Sequence, residues 1–372
     1  MARQKYSDFT DLRELILSLF DFVKSESKFI FIIAILLFLA GSLTPFPQAA
    51  MWFGFVLAGY SAVANDSIQT IGTFIVSNQH RKWYYLWLYI GIIFLATVTY
   101  SFIVYNGDVS YQRLQTPGLD VAPKSFTFLQ LVAPLILIVL TRMRMPVSTT
   151  FLLLTIFSTE SSAVISVLTK SVSGYLVAFV VAIVVWLLAR KFVHLKFKGK
   201  PHFIWTIIQW ITSGTLWSVW VMQDAANIAV FLPRSLSIPQ FLGFSLFIFL
   251  GLGIIFYLKG DRIQKIVSEK SGISDIRSAT IVDFVYALIL IYFKEMSQIP
   301  MSTTWVFLGL LGGRELAISI TKKRAKRRVK SVRTTLLIIG KDVMMAGIGL
   351  IISLILAVAI NVKMRSEFLS LF

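Results

Sequence analysis

MPVSTTFLLLTIF (residues 145–157) and IPMSTTWVFLGLLGG (residues 299–313) carry one phrase, Pro-x-Ser-Thr-Thr, at the head of an apolar run. Proline lacks a backbone donor and pushes the residue before it out of helix, so Pro146 and Pro300 each interrupt a hydrophobic stretch. Ser-Thr-Thr directly after such a break reads as a helix start. A second echo precedes each phrase: Ala64-Asn65-Asp66 within AVANDSIQTIGT (62–73), and Gln223-Asp224 with Asn227 within MQDAANIAV (222–230). Asp66 lies 82 residues before Ser148, and Asp224 lies 78 before Ser302. Each interval holds a long apolar run, a connection of about twenty residues and another run. Phrases matched in order and spacing mean an internal duplication.

The medium in which this duplicated chain folds follows from composition. Of 372 residues, 56% are hydrophobic and 15% charged, and the mean hydropathy is +0.77. Stretches such as 83–105 and 174–193 reach the ~20 apolar residues that cross a bilayer. The expected class is an all-α polytopic membrane protein. Eleven apolar segments are predicted, at 29–47, 51–76, 83–105, 125–143, 146–168, 174–193, 203–230, 237–258, 279–297, 300–320 and 336–360. Residues 125–168 and 279–320 read either as re-entrant hairpins with tips at Pro146 and Pro300 or as paired crossings. Three parts are expected: a cytoplasmic amphipathic N-terminal helix in 1–28, a first repeat with an extra leading span in 29–200, and a second repeat in 201–362.

Positive charge orients the repeats. With the N-terminus in the cytoplasm, 27 Lys and Arg fall in inner connections and 7 in outer ones. Equivalent connections differ most: TKSVS (169–173) has one basic residue, and 322–333 has eight. Matching connections on opposite sides imply inverted-topology repeats with discontinuous helices or re-entrant hairpins at the midplane, and a C-terminus outside. Topology thus accounts for the net charge of +18, and without an aromatic-and-basic surface the charge does not read as nucleic-acid binding. The chain has no cysteine, and its three histidines sit in basic connections, which argues against disulfides, Cys/His metal clusters and His-based catalysis.

The polar phrases carry the chemistry. A helix start offers unpaired N–H groups and a positive dipole end, and hydroxyls add donors. Ser148, Thr149, Thr150, Ser302, Thr303 and Thr304, with the amides Gln69 and Asn227 beside them, are the candidate anion-binding residues, a site without formal charge. Asn65, Asp66, Gln223 and Asp224 offer carboxylate and amide oxygens, hard donors for Na⁺, or a protonatable site for H⁺. Na⁺ at Asp66 and Asp224 is the expected cation placement. Glu160 and Glu315 read as either a symmetric gating pair or locally paired acids. Arg142 and Arg144 read as interfacial anchors.

Together these phrases resemble the inorganic phosphate transporter (PiT) family, whose signature is a duplicated Gly-Ala-Asn-Asp-Val-Ala-Asn-like phrase and a duplicated Pro-Val-Ser-Thr-Thr-His-like phrase. Ala64, Asn65 and Asp66 match the first, with Gln69 in place of its last Asn and Gly72-Thr73 matching beyond it. Asp224, Ala226 and Asn227 match its second copy, with Gln223 for the first Asn. Residues 146–150 and 300–304 match the other phrase. Phe151 and Trp305 stand where the family has His, and Val63 where it has Gly.

The resemblance spans about residues 50–360. It implies a carrier that takes up phosphate by symport with Na⁺ or H⁺, with no cofactor beyond the coupling ion. Family relatives include sulfate carriers, so a sulfate symporter of the same fold is the alternative. An anion channel is the alternative from another class, and two buried acids argue against it. An enzyme is not expected, since no nucleophile–His pair is present. Expected partners are the oxyanion, the cation and the lipid bilayer, with a homodimer allowed and a bacterial inner (plasma) membrane as location.

Overall fold

The computed structural model describes residues 26–143, 145–196, 199, 201–258, 275–321 and 325–370. The expected N-terminal amphipathic helix, Arg144 and most of the 259–277 connection lie outside the described residues. The described residues are helical, with no strand among them. In chain order the helices are α1 (Ser27–Leu43), α2 (Pro47–Ser61), α3 (Ser67–Ser77), α4 (Trp83–Val104), α5 (Phe128–Arg142) and α6 (Ser161–Lys196). They continue as α7 (Ile204–Ala229), α8 (Ile238–Tyr257), α9 (Ile276–Met296), α10 (Thr303–Ile320), α11 (Ala325–Ile360) and α12 (Val362–Leu369).

Among the described residues five helices are long and apolar enough to cross a membrane: α4, residues 161–189 of α6, α8, α9, and residues 329–360 of α11. Large apolar side chains stay exposed along the outside, such as Phe38 and Leu188 at 73% each. A surface of that kind suits hydrocarbon rather than water. The chain is an all-α integral membrane protein. Helix α5 has 15 residues, about 22 Å, which is shorter than the ~30 Å hydrocarbon core.

Two segments depart from a plain helix reading. The rod from Pro47 to Ser77 changes at Ala62–Asp66 into a π-helical turn, widening the spiral where Asn65 and Asp66 sit. After Pro146 the chain makes a π-helical turn at Thr150–Leu154 and a 3₁₀ turn at Thr155–Phe157, so Ser148-Thr149-Thr150 opens two irregular turns rather than a full helix. π-turns of this kind recur at functional sites, because they expose backbone carbonyls and re-aim side chains. In the second half Ser302 caps an ordinary α-helix, its hydroxyl accepting from the Trp305 N–H.

One expectation is corrected. Residues 169–173 are not a connection: they lie inside the continuous 36-residue helix α6. Small and polar residues (Thr169, Ser171, Ser173, Gly174) thin the hydropathy there and mimic a loop. Ser171 and Ser173 donate to the carbonyls of Val167 and Thr169 one turn back, which keeps them in helix. The connection between the 150–157 arm and α6 is residues 158–160. Its counterpart is the short passage between α10 and α11, whose opening residues bear most of the basic run.

The helices that follow the two acidic phrases, α4 and α8, meet antiparallel. Between α4 and α8, Trp83 packs on Tyr257 (5.3 Å between ring centroids), Trp87 on Phe249 (4.8 Å) and Phe102 on Phe241 (4.3 Å), so numbering rises on one helix as it falls on the other. The α2–α3 rod meets α7 likewise, with Gly59 beside Ile228 and the Asn78 amide donating to Gln209 Oε1 at 2.8 Å. The halves also exchange partners. The 150–157 arm of the first half packs on α11 of the second, and α10 of the second packs on α6 of the first. The second contact is close because two glycines of α10, Gly309 and Gly313, face the backbone of Tyr175 and Phe179.

Candidate functional site

The two acidic phrases and the two Ser-Thr-Thr phrases meet in the middle of the molecule. The π-turn places Asp66, α7 places Asp224, the break after Pro146 places Thr149 and Thr150, and the α10 N-terminus places Thr303 and Thr304. Asp66, Asp224, Asn227, Ser302 and both threonine pairs are buried. Pieces of chain 74 to 235 residues apart thus share one buried compartment.

One hydrogen-bond network joins them. Asp66 accepts from the Thr149 hydroxyl and from Asn65 Nδ2 (3.0 Å). Asp224 accepts from the Thr303 hydroxyl, from Asn227 Nδ2 (2.7 Å) and from Thr150 Oγ1 (3.5 Å). Asn227 Nδ2 also donates to Thr149 Oγ1 (3.0 Å) and Thr150 Oγ1 (3.1 Å), so two bonds separate Thr149, on Asp66, from Asp224. The network joins Asn65, Asp66 and Asp224, expected for the cation, to Thr149, Thr150, Asn227 and Thr303, expected for the anion. Gln69 Nε2 donates to Thr304 Oγ1 at 3.3 Å, and Gln223 Nε2 turns away to the Leu290 carbonyl at 3.3 Å.

What the network leaves unpaired indicates what it can hold. Neither aspartate forms an ion pair among the described residues. Gln69 Oε1, Gln223 Oε1 and Asn227 Oδ1 are buried acceptors without a donor. Buried carboxylates and orphaned amide oxygens are costly to leave uncompensated. Small cations take oxygens of this kind as hard ligands. Among the described residues no group of three or more His, Cys, Asp or Glu could hold a metal ion.

The hydroxyls divide by role. Thr149 and Thr303 spend their protons on the aspartates, and Thr150 donates to the Met301 carbonyl at 3.1 Å. Ser148 and Ser302 instead accept from the Phe151 and Trp305 N–H groups, at 3.2 Å each, and keep their own O–H groups to offer. Trp305 Nε1–H is buried without an acceptor. Phe151 and Trp305 pack edge to face with centroids 5.5 Å apart, bringing the two Ser-Thr-Thr segments together at the positions where the resembled family has His.

Several residues near the site escape a sequence reading. Asp283 of α9 is a third buried acid, accepting from Thr73 Oγ1 (2.6 Å) and Ser213 Oγ, and so ties α3, α7 and α9 together. Tyr286 donates to the Thr303 carbonyl at 2.9 Å and fixes the start of α10. Arg113, in the connection between α4 and α5, is fully buried, with Nε on the Met222 carbonyl at 2.8 Å. Burial pulls its pKa down to about 10 while the negative charge of Asp224 opposes that fall, so it stays charged at neutral pH. A lone acid without an echo and a basic residue in a connection give no pattern to read.

The outlying charges pair locally. Glu160 accepts from Ser162 Oγ at 3.1 Å, Glu315 pairs with Arg314, and Arg314 lies over the Trp186 ring at 5.5 Å. Arg142 pairs with Glu26 at 2.7 Å and lies over Phe29, tying α5 to the start of α1.

No family model matches the sequence, and no curated protein matches it. Among solved structures the fold is similar to one described as "The sodium-dependent phosphate transporter", with a TM-score of 0.50 and 19% sequence identity over 83% of this chain and 98% of that one. At that identity the likeness speaks for the fold: this chain is an all-α membrane protein built on the plan of that transporter.

Proposed function

We propose that this protein is a secondary transporter of an inorganic oxyanion, phosphate first, driven by symport with Na⁺ or H⁺. The observation that carries this is the buried network that joins Asp66 to Asp224 through Thr149, Asn227 and Thr303, with the rest of both Ser-Thr-Thr phrases buried beside it. Its carboxylates and amide oxygens suit a cation, and its spare O–H and N–H groups suit an anion. Held together, the two ligands neutralise each other, which is coupling in physical form. The name of the similar structure, a sodium-dependent phosphate transporter, agrees with both ligands.

The cation is assigned to Asp66, Asn65 and Gln69 in one half and to Asp224, Gln223 and Asn227 in the other. The anion is assigned to Ser148, Ser302 and Thr304 with the Trp305 indole N–H. Antiparallel packing of α4 on α8 and of α2–α3 on α7 supports inverted repeats, because equivalent helices then run in opposite directions. Alternating access would rock one repeat against the other around the shared network. The deciding experiment is uptake of labelled phosphate or sulfate into proteoliposomes under imposed Na⁺ or H⁺ gradients. No accumulation with any of these pairs would overturn the reading.

Two further results are expected. Ser148→Ala and Ser302→Ala each remove one donor to a charged ligand, worth about 1.5–3 kcal/mol, so each should raise the anion KM roughly ten- to a hundredfold. The same variants should retain cation-dependent thermal stabilisation, since neither serine donates to an aspartate. Normal uptake by both would move the anion elsewhere. For topology, Thr159→Cys and Lys330→Cys should be labelled from opposite faces by a membrane-impermeant thiol reagent, a clean assay in a chain without cysteine. Labelling from one face would remove the inverted arrangement.

A further inference from the structure

Two cations outside the network converge on one stretch of backbone, the tip that joins α9 to α10. Arg113 Nη1 donates to the Gln298 carbonyl at 3.2 Å and the Ile299 carbonyl at 3.3 Å. Lys170 Nζ, from α6, donates to the Ser297 carbonyl at 2.9 Å and the same Ile299 carbonyl at 2.6 Å. Both cations belong to the first half of the chain and the tip belongs to the second. Among the described residues neither cation forms an ion pair. Arg113 also keeps a buried Nη2–H with no acceptor.

Carbonyl dipoles satisfy donors but do not cancel charge, and two cations sharing the Ile299 oxygen repel each other. Among the described residues no carboxylate contacts either cation directly, so both can still take an anion. A guanidinium and an ammonium side by side match a tetrahedral oxyanion, and charge-assisted bonds to it are roughly twice as strong as bonds to a neutral carbonyl. The position is consequential as well. Three residues beyond Ile299 is Ser302, and Thr303 after it donates to Asp224. The Arg113 Nε sits on Met222, two residues before that same aspartate.

We propose that Arg113 and Lys170 form a cationic clasp that holds the α9–α10 tip closed and exchanges its carbonyls for an incoming doubly charged tetrahedral oxyanion. Half-buried Lys170 is then the anion's first contact and buried Arg113 the next, and the pair is the fastening of one gate. The proposal rests on the oxyanion reading above and adds to it a formally charged subsite. Letting go of Ser297–Ile299 frees the strand that leads to Ser302 and Thr303, so docking loosens the entrance to the site that follows.

The test uses Ile299→Cys, half-buried at the tip, in the otherwise cysteine-free chain reconstituted in vesicles. An impermeant maleimide is applied from the face that carries residues 105–127, in chloride, phosphate or sulfate. With the clasp intact, phosphate should raise the labelling rate severalfold over chloride. With Lys170→Gln added, labelling should already be fast in chloride and gain nothing from phosphate. Arg113→Lys, which keeps the charge but loses the fork, should weaken the phosphate response and raise KM with kcat less affected. Equal rates in chloride and phosphate, or a full phosphate response in Lys170→Gln, would overturn the clasp. Uptake in the same vesicles separates the two claims. A labelling response without uptake keeps the clasp and removes transport, and normal uptake without a labelling response does the reverse. Monodisperse elution and an unchanged melting temperature exclude misfolding as the cause of fast labelling.

Discussion

Asparagine at both Asp66 and Asp224 is expected to abolish cation-driven uptake while the protein stays folded in the membrane. The amide keeps the shape of the carboxylate and an oxygen for the Thr149 and Thr303 hydroxyls, and the Asn65 and Asn227 amides need only flip to accept from the new N–H groups. What disappears is the charge that the cation answers. Charge-assisted contacts are worth about 1.5–3 kcal/mol each, so losing one at each aspartate weakens combined cation binding roughly a hundred- to ten-thousandfold. Folding should not suffer in proportion, because two buried carboxylates in one network repel, and neutral amides relieve that repulsion. Gradient-driven uptake in proteoliposomes and thermal unfolding in detergent measure the two halves of the expectation. Full accumulation with unchanged cation dependence in the double variant would place the coupling ion elsewhere.

The second large effect is structural. A Cβ on Gly309 would lie 2.3 Å from the Tyr175 carbonyl oxygen, and one on Gly313 would lie 2.2 Å from that of Phe179. Backbone oxygens cannot swing aside as a flexible side chain can, so α10 would have to lift off α6. Overpacking of this kind costs about 1–3 kcal/mol per site, and small residues are what permit close helix contact in lipid. Gly309→Ala with Gly313→Ala should therefore lower the melting temperature steeply. Gly313→Leu alone should leave little folded protein. Gly340→Ala and Gly347→Ala on α11, where an added Cβ meets nothing within 4 Å, are the matched controls and should melt like the parent. A double variant as stable as the parent would mean that the α6–α10 contact does not hold the halves together.

The phrases that meet in the buried cluster were legible because their signal is polar and their setting is not. An Asn-Asp pair or a Pro-x-Ser-Thr-Thr phrase stands out in a hydrophobic run, and its meaning does not depend on what it touches. Most segment ends were readable for the same reason: 83–105 became Trp83–Val104, and 203–230 became Ile204–Ala229. Helix α6 was misread because Thr169, Ser171 and Ser173 look like a loop in a hydropathy profile, although their hydroxyl groups can bond back to their own helix. The π-turns were invisible, since no residue type marks them and tertiary contacts hold them. Arg113 and Lys170 were read only as charges on one side of a membrane. That they reach inward to a tip about 130 to 190 residues away is a fact of packing that no local pattern records.

The exchange of partners between halves also sets an order of events during synthesis. The first hairpin's arm ends at Phe157, but the helix that covers it, α11, closes only at Ile360. At ~5–20 residues per second, about 10–40 seconds separate the two. Through that interval a π-turn and a 3₁₀ turn, with carbonyls not fully paired within their own segment, await their cover in a medium that offers no water. Pro146 and its neighbours must therefore wait in a less buried place, at the interface or against the translocation machinery, until the last long helix arrives. A chain that stalls after its first half is expected to be left with an arm that α11 has not covered.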